Sequence, residues 1–184
     1  VSACANENNS KVIQNFFSTE NLRIYTSKDT RGVEIGGSLK NVIAIASGIC
    51  SGIGYGDNAN AALITRGLHE ITNLGIAMGA KEQTFYGLSG IGDLIATCLS
   101  THSRNRHLGD EIAKGKNLEE IISSMGMVAE GVNTTKVVHE LSKKFNIEMP
   151  ICNSVYEVLF MSKDPKISVK NLMIRKLKKE RMQE

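Results

Sequence analysis

The apolar positions of this chain change their rhythm near Gly36-Gly37. Before that point, Leu22-Arg23-Ile24-Tyr25-Thr26 and Val33-Glu34-Ile35 alternate apolar and polar side chains, which is the period of a half-buried strand. Lys11 to Ser18 reads as one helix, and the first residues read as a short strand. Residues 1–35 are therefore expected to be the closing elements of an α/β domain.

After the glycine pair, nearly every segment has a helical period. From Ser38 the chain is apolar almost all round through Leu39, Val42, Ile43, Ile45, Ala46 and Ile49, so a central helix buried on most sides is predicted. Leu63, Gly67, Ile71, Leu74 and Met78 recur at spacings of three and four, with Gly79 as the stop. Asn117 opens a short helix with Glu119 and Glu120 in its first turn, where acids suit the helix dipole. Asn133 to Phe145 carries Val137, Val138 and Leu141 and ends near Asn146, and Pro150 starts another helix through Val155, Val158 and Leu159. The expected fold class is mainly α: seven or eight helices over 36–184, behind a short α/β remnant.

Composition narrows the functional classes. A chain of 184 residues, 41% hydrophobic and 22% charged, can bury one sizeable core or one domain plus a piece of another. The net charge of +3 is modest and its positive residues gather after Lys163, which argues against nucleic acid as the main partner. Cys4, Cys50, Cys98 and Cys152 stand far apart without a CxxC pair, and His69, His102, His107 and His139 lack metal-ligand spacing. Free thiols in a reducing, cytoplasmic setting are expected, with no metal. No apolar run is expected to reach the ~18 residues of a membrane span, and the opening residues lack a signal peptide's pattern. A start at Val1 leads us to expect that something upstream is missing.

Three segments place a charged or amide group within a small, apolar stretch, where burial would have to be compensated. Lys40 follows Gly36-Gly37-Ser38-Leu39. It either snorkels to the edge of its helix or sits in a desolvated pocket, where the charged form is disfavoured and the amine can exchange a proton near neutrality. Asp93, in Gly90-Ile91-Gly92-Asp93-Leu94, either caps a helix or faces Lys40. Ser103-Arg104-Asn105-Arg106 reads as an N-capped helix with exposed arginines, or as a phosphate site in which helix amides, a guanidinium fork and an amide converge. Thr97, Cys98, Ser100, Thr101 and His102 form the polar approach to it.

Together these segments resemble the NAD(P)-dependent sn-glycerol-3-phosphate dehydrogenases of the bacterial type. The resemblance runs through Gly36 to Ile45, Gly52-Ile53-Gly54-Tyr55-Gly56-Asp57-Asn58, Ala62 to Leu68, Gly90 to Leu94, Thr97-Cys98, Ser103-Arg104-Asn105, Val128-Ala129-Glu130-Gly131 and Glu148-Met149-Pro150-Ile151. It implies the all-helical dehydrogenase C-terminal fold, like that of 6-phosphogluconate dehydrogenase, behind the end of a Rossmann domain. It also implies that Lys40 is the proton acceptor and that Asp93, Ser103, Arg104 and Asn105 contact glycerol 3-phosphate, with Asn41 orienting it. Arg104, Val128 and Glu130 would touch NAD or NADP. A homodimer and a role in supplying glycerol 3-phosphate for phospholipid synthesis follow from the same resemblance.

One departure is large: no GxGxxG follows a strand, so the dinucleotide-binding turn of the family is missing and the chain is expected to be inactive alone. Two other readings stand beside this one. A related dehydrogenase acting on another hydroxy acid or sugar would not need Ser103-Arg104-Asn105. A non-catalytic helical module would use the basic tail of Lys163, Lys166, Lys170, Arg175, Lys176, Lys178, Lys179 and Arg181.

Overall fold

A 24-residue helix, α2 (Thr30–Ile53), forms the centre of the molecule, and the remaining helices are arranged around it. The computed structural model describes residues 1–126 and 129–177. The chain opens with β1 (Ser2–Ala3), α1 (Glu7–Phe17) and β2 (Thr26–Ser27); the two strands pair in parallel, Ser2 against Thr26. After α2 come α3 (Asp57–Ala77), the single-turn α4 (Glu82–Phe85), a π-helical turn (Leu88–Gly92) and α5 (Asp93–Leu99). The series ends with α6 (Arg104–Ala113), α7 (Leu118–Ser124), α8 (Glu130–Lys144), α9 (Pro150–Phe160) and α10 (Pro165–Met173).

The boundaries of α2 follow from its end residues. Asp29 caps the start, its Oδ1 accepting from the Gly32 amide at 3.0 Å while Oδ2 accepts from the Lys81 amide and the Thr84 hydroxyl. The stop is Gly54, whose φ of 100° lies in the left-handed region. Between them Val42, Ile43, Ala44 and Ile45 are wholly buried, as the all-round apolar pattern predicts. Each such burial of a large aliphatic side chain contributes about 1.5–3 kcal/mol.

Helix α2 packs most extensively against α6, and two glycines allow it. A Cβ on Gly48 would lie 1.9 Å from the Arg106 carbonyl oxygen, and one on Gly109 would lie 2.1 Å from the Ile45 carbonyl oxygen. Backbone therefore meets backbone, which draws the Ser103-Arg104-Asn105 segment against the helix that carries Lys40.

Four expectations are corrected. Val33-Glu34-Ile35 is not a strand but the first part of α2: Ile35 is buried on a helical face and the Asp29 cap starts the helix ahead of it. The strand read at 22–26 shrinks to Thr26–Ser27, since β1 offers only two residues to pair with. By length and composition α2 does qualify as a membrane span, unlike the other described helices, but 67% of its most apolar window is buried within the protein. The described residues hold nine helices from α2 to α10, against the seven or eight expected.

Candidate active site

Lys40 lies near the middle of α2, where the side chain leaves the core toward α5. Its Nζ donates to Asp93 Oδ2 at 2.5 Å, with the lysine side chain 21% exposed and the carboxylate 38% exposed. Asp93 is the first residue of α5, and its side chain faces Lys40 instead of capping the helix. The π-helical turn before it adds a residue to the helical repeat and so rotates the following side chain, a device common at functional sites. Gly90 makes that turn possible, because a Cβ there would meet the Phe85 carbonyl oxygen at 2.1 Å.

Thr97, one turn along α5, donates to the Asp93 carbonyl at 2.7 Å and lies 3.5 Å from Asp93 Oδ1. It also lines a shallow cleft of about 330 Å³ together with Asn41, Ser100, Ser103, Arg104, Asn105 and Glu130. The Lys40–Asp93 pair thus stands at the edge of a polar cleft and is linked to it through Thr97.

At the same cleft, Ser103 caps α6: its Oγ accepts from the Arg106 amide at 3.3 Å. The capped-helix reading is thereby realised, and it leaves the head of α6, with Arg104 and Asn105, directed at the cleft. Arg104 is not a lone exposed arginine, because Nη2 donates to Glu130 Oε1 at 2.6 Å. Asn105 is 4% exposed and its Oδ1 accepts from the Gly131 amide at 2.9 Å. These two bonds dock the start of α8 on the start of α6. Cys98, beneath the cleft on α5, is buried, and its thiol is pushed up to about 12 by that burial. It stays protonated and is a poor nucleophile.

Of the residues singled out from sequence, Asn41, Ser103, Arg104, Asn105 and Glu130 line one cleft, and Lys40 and Asp93 pair beside it. Val128 lies outside the described residues, as do Lys178, Lys179 and Arg181 of the basic tail. The Arg104–Glu130 and Asn105–Gly131 links were not foreseen, although Ala129-Glu130-Gly131 stood among the resembling segments. Glu70 was missed as well. It is 3% exposed and accepts from the Ile151 and Cys152 amides at 2.7 and 3.1 Å, capping α9 from α3. The available signal was an acid placed among Gly67, Ile71 and Leu74 on one apolar stripe. His107, Asp110 and Glu111 bring ligand atoms together, but Lys114 bonds both acids and Lys116 bonds Glu111, so cations already occupy the cluster.

The sequence profile described as NAD-dependent glycerol-3-phosphate dehydrogenase C-terminus matches residues 29–170. Glycerol-3-phosphate dehydrogenase [NAD(P)+] 1 of Salinibacter ruber is 56% identical over 180 residues, covering 98% of this chain and 53% of that protein. The glycerol-3-phosphate dehydrogenase [NAD(P)+] of Listeria monocytogenes is 54% identical over 179 residues, covering 97% and 53%. Among solved structures, the glycerol-3-phosphate dehydrogenase of Coxiella burnetii superposes with a TM-score of 0.90 at 40% identity, over 94% of this chain and 53% of that one. The chain spans about half the length of the relatives it matches.

Proposed function

This chain belongs to the NAD-dependent glycerol-3-phosphate dehydrogenase family, through that family's C-terminal region, and from this premise we propose that it forms the substrate-binding half of an enzyme interconverting sn-glycerol 3-phosphate and dihydroxyacetone phosphate. The observation that carries the reading is the Lys40–Asp93 pair beside a cleft lined by Ser103, Arg104 and Asn105. A proton-exchanging amine and a phosphate-binding wall are the two parts this reaction needs.

Arg104 and the head of α6 hold the phosphate, and Asn41 and Asn105 offer amides to the substrate. Anchoring the phosphate presents C2 to Lys40, so that binding energy remote from the reacting carbon fixes its geometry. In oxidation the C2 hydroxyl proton passes to the Lys40 amine as C2 loses hydride; in reduction the Lys40 ammonium returns that proton to the developing alkoxide. Asp93 accepts from the Lys40 head group throughout and keeps it aimed. Arginine could not replace this lysine, since a guanidinium stays protonated.

Among the described residues, those at the cleft fit the nicotinamide end of the cofactor. Arg104 and Glu130 stand 38% and 51% exposed at the cleft, where a flat ring carrying a carboxamide could be met by a donor and an acceptor. NAD or NADP, when bound, supplies the hydride acceptor or donor. Residues 36–184 make the substrate-binding half and 1–35 the end of the nucleotide-binding half, with α2 running across the join.

The enzyme works in the cytoplasm as a homodimer and supplies glycerol 3-phosphate to phospholipid synthesis. The four free cysteines and the family resemblance support that setting. Helix α2 serves as the core of a bundle and not as a membrane span, a reading supported by its burial and by Lys40 within it.

The test is dihydroxyacetone-phosphate-dependent oxidation of NADH and NADPH by the intact protein beside its Lys40→Ala variant. Turnover in the first and its loss in the second is the expected result. No turnover with either cofactor would overturn the assignment in favour of another hydroxy acid or sugar as substrate.

A further inference from the structure

Helix α10 packs on α9, α6 and α2 and turns only part of its surface inward. Val169 and Leu172 pack against the core, and Ser168 is buried beside them. With 3.6 residues per turn, the opposite side carries Lys166, Ile167, Lys170, Met173 and Ile174.

That outward face is apolar as well as basic. Ile167, Met173 and Ile174 are 54%, 76% and 70% exposed, and Leu177, just beyond the helix, is 94% exposed. A single exposed aliphatic residue is ordinary, but four between Ile167 and Leu177, interspersed with lysines, make a patch.

Charge is as unevenly placed as hydrophobicity. Residues 163–184 hold eight basic and three acidic residues, in a chain whose net charge is only +3. The neighbouring acids are engaged: Asp164 Oδ1 accepts from the Ile167 amide at 2.9 Å, Glu157 pairs with Lys163, and Glu148 pairs with Arg175 at 3.6 Å. Lys166, Lys170 and Lys176 have no ion-pair partner among the described residues.

The combination selects the partner. Nucleic acid would use the lysines but gains nothing from exposed isoleucine and methionine, and residues 163–184 contain no aromatic ring on which a base could stack. A second copy meeting this face isologously would set lysine against lysine. An anionic bilayer satisfies both properties, because its headgroups attract the lysines and its acyl boundary takes the aliphatic side chains.

We propose that α10, extended through Leu177, is a peripheral docking surface for anionic phospholipid membranes. Lys166, Lys170 and Lys176 bind the headgroups, while Ile167, Met173 and Ile174 enter the boundary between headgroups and acyl chains. The helix lies on the bilayer and does not cross it: its nine residues rise about 14 Å, half of a ~30 Å hydrocarbon core. Docking is reversible and salt-sensitive, since its electrostatic part is screened over ~10 Å at 0.1 M salt.

The test is co-sedimentation of the intact protein with phosphatidylcholine vesicles, with and without about 30% phosphatidylglycerol, at ~0.1 M and ~0.5 M NaCl. Binding to the anionic vesicles at least tenfold tighter than to phosphatidylcholine alone is expected, and its loss at the higher salt. Lys166→Gln with Lys170→Gln should weaken it at least tenfold, and Ile167→Ser with Ile174→Ser at least threefold, both with unchanged circular dichroism. Lys11→Gln with Lys28→Gln removes the same charge from exposed positions near the start of the chain and should change binding less than twofold. Equal binding or none to the two kinds of vesicle, an α10 pair of substitutions without effect, or a control pair as damaging as the lysine pair would each overturn the proposal. So would a fall in the assembly's mass in Ile167→Ser with Ile174→Ser, which would give the face to a second copy, or retention of a 20-nucleotide RNA in place of vesicles. None of these readouts depends on catalysis, so the proposed reaction stands or falls separately.

Discussion

Lys40 Nζ and Asp93 Oδ2 meet at 2.5 Å although 53 positions separate them in the chain. The contact depends on α2 and α5 packing side by side and on the π-helical turn that starts α5 at Asp93. It makes the amine and the carboxylate one unit, with Thr97 extending that unit to the cleft. If Lys40 carries the proton, Lys40→Ala in the intact protein should lower kcat by about 10²–10⁴. Lys40→Arg should not rescue it, because charge without proton exchange is insufficient. Asp93→Asn removes one charge-assisted hydrogen bond of ~1.5–3 kcal/mol and should lower kcat roughly 10- to 150-fold. Steady-state rates of the three variants check this, and full activity in Lys40→Arg would end the proton-transfer assignment.

Arg104 and Glu130 form a half-exposed pair, and such pairs contribute only about 0–1 kcal/mol to stability. Arg104→Ala should therefore leave the thermal midpoint nearly unchanged while raising KM for dihydroxyacetone phosphate by tenfold or more, because the phosphate loses its guanidinium fork. Glu130→Gln should leave that KM within a factor of about three. Thermal melts with paired KM measurements separate the two roles; an unchanged KM in Arg104→Ala would remove it from the phosphate site.

The two variants illustrate what could and could not be read from the chain. The burial of α2 was legible because Leu39, Val42, Ile43 and Ile45 leave no polar face, and the stop of α3 was legible because Gly79 takes a φ of 86°. The strand at Val33-Glu34-Ile35 was misread because three residues cannot distinguish a period of 2 from one of 3.6, and the Asp29 cap that decides the matter uses partners 52 and 55 positions away. For the site, residue types were legible and pairings were not. Asp93 is a good cap by composition, and only the packing of α5 on α2 turns it toward Lys40. Glu130 and Asn105 acquire their partners from a contact between α6 and α8 that no local pattern announces.

Asn105 is expected to act through structure as well as through substrate. Asn105→Ala would leave the buried Gly131 amide without its acceptor, at a cost of about 1–3 kcal/mol, and would loosen the start of α8 from α6. Urea denaturation should show the midpoint moving down with an unchanged slope. A variant as stable as its parent would mean that this amide finds another acceptor.

The close approach of α2 and α6 predicts a severe effect from a small change. Gly48→Ala puts a methyl group 1.9 Å from the Arg106 carbonyl oxygen, and since that obstacle is backbone the helices must separate. Overpacking of this kind costs about 1–3 kcal/mol or more. Gly37→Ala is the control: it lies on the same helix with no atom within 4 Å of the added carbon, and it should be neutral or stabilising. Comparing the two by urea denaturation tests the helix contact, and equal stabilities would contradict it.

Glu70 supplies the pH dependence. Burial pushes its carboxyl up from 4.5 to about 7, even though the Ile151 and Cys152 amides bond to the charged form. Between pH 4.5 and 7 the folded chain therefore keeps a proton that the unfolded chain has released. The stability tied to this proton is fully present below the unfolded value, falls as pH rises through about 7, and then levels off, a change on the order of 3 kcal/mol. Glu70→Gln cannot titrate. Its amide can accept only at the carbonyl, so one of the two α9 amides loses its partner at every pH. The variant should thus be less stable than the parent at pH 5, where the parent carboxyl is protonated, with the gap narrowing or reversing by pH 8. Urea denaturation of both proteins at pH 5, 6.5 and 8 measures that gap directly, and a gap constant across the three would show that Glu70 ionises alike in the folded and unfolded chain.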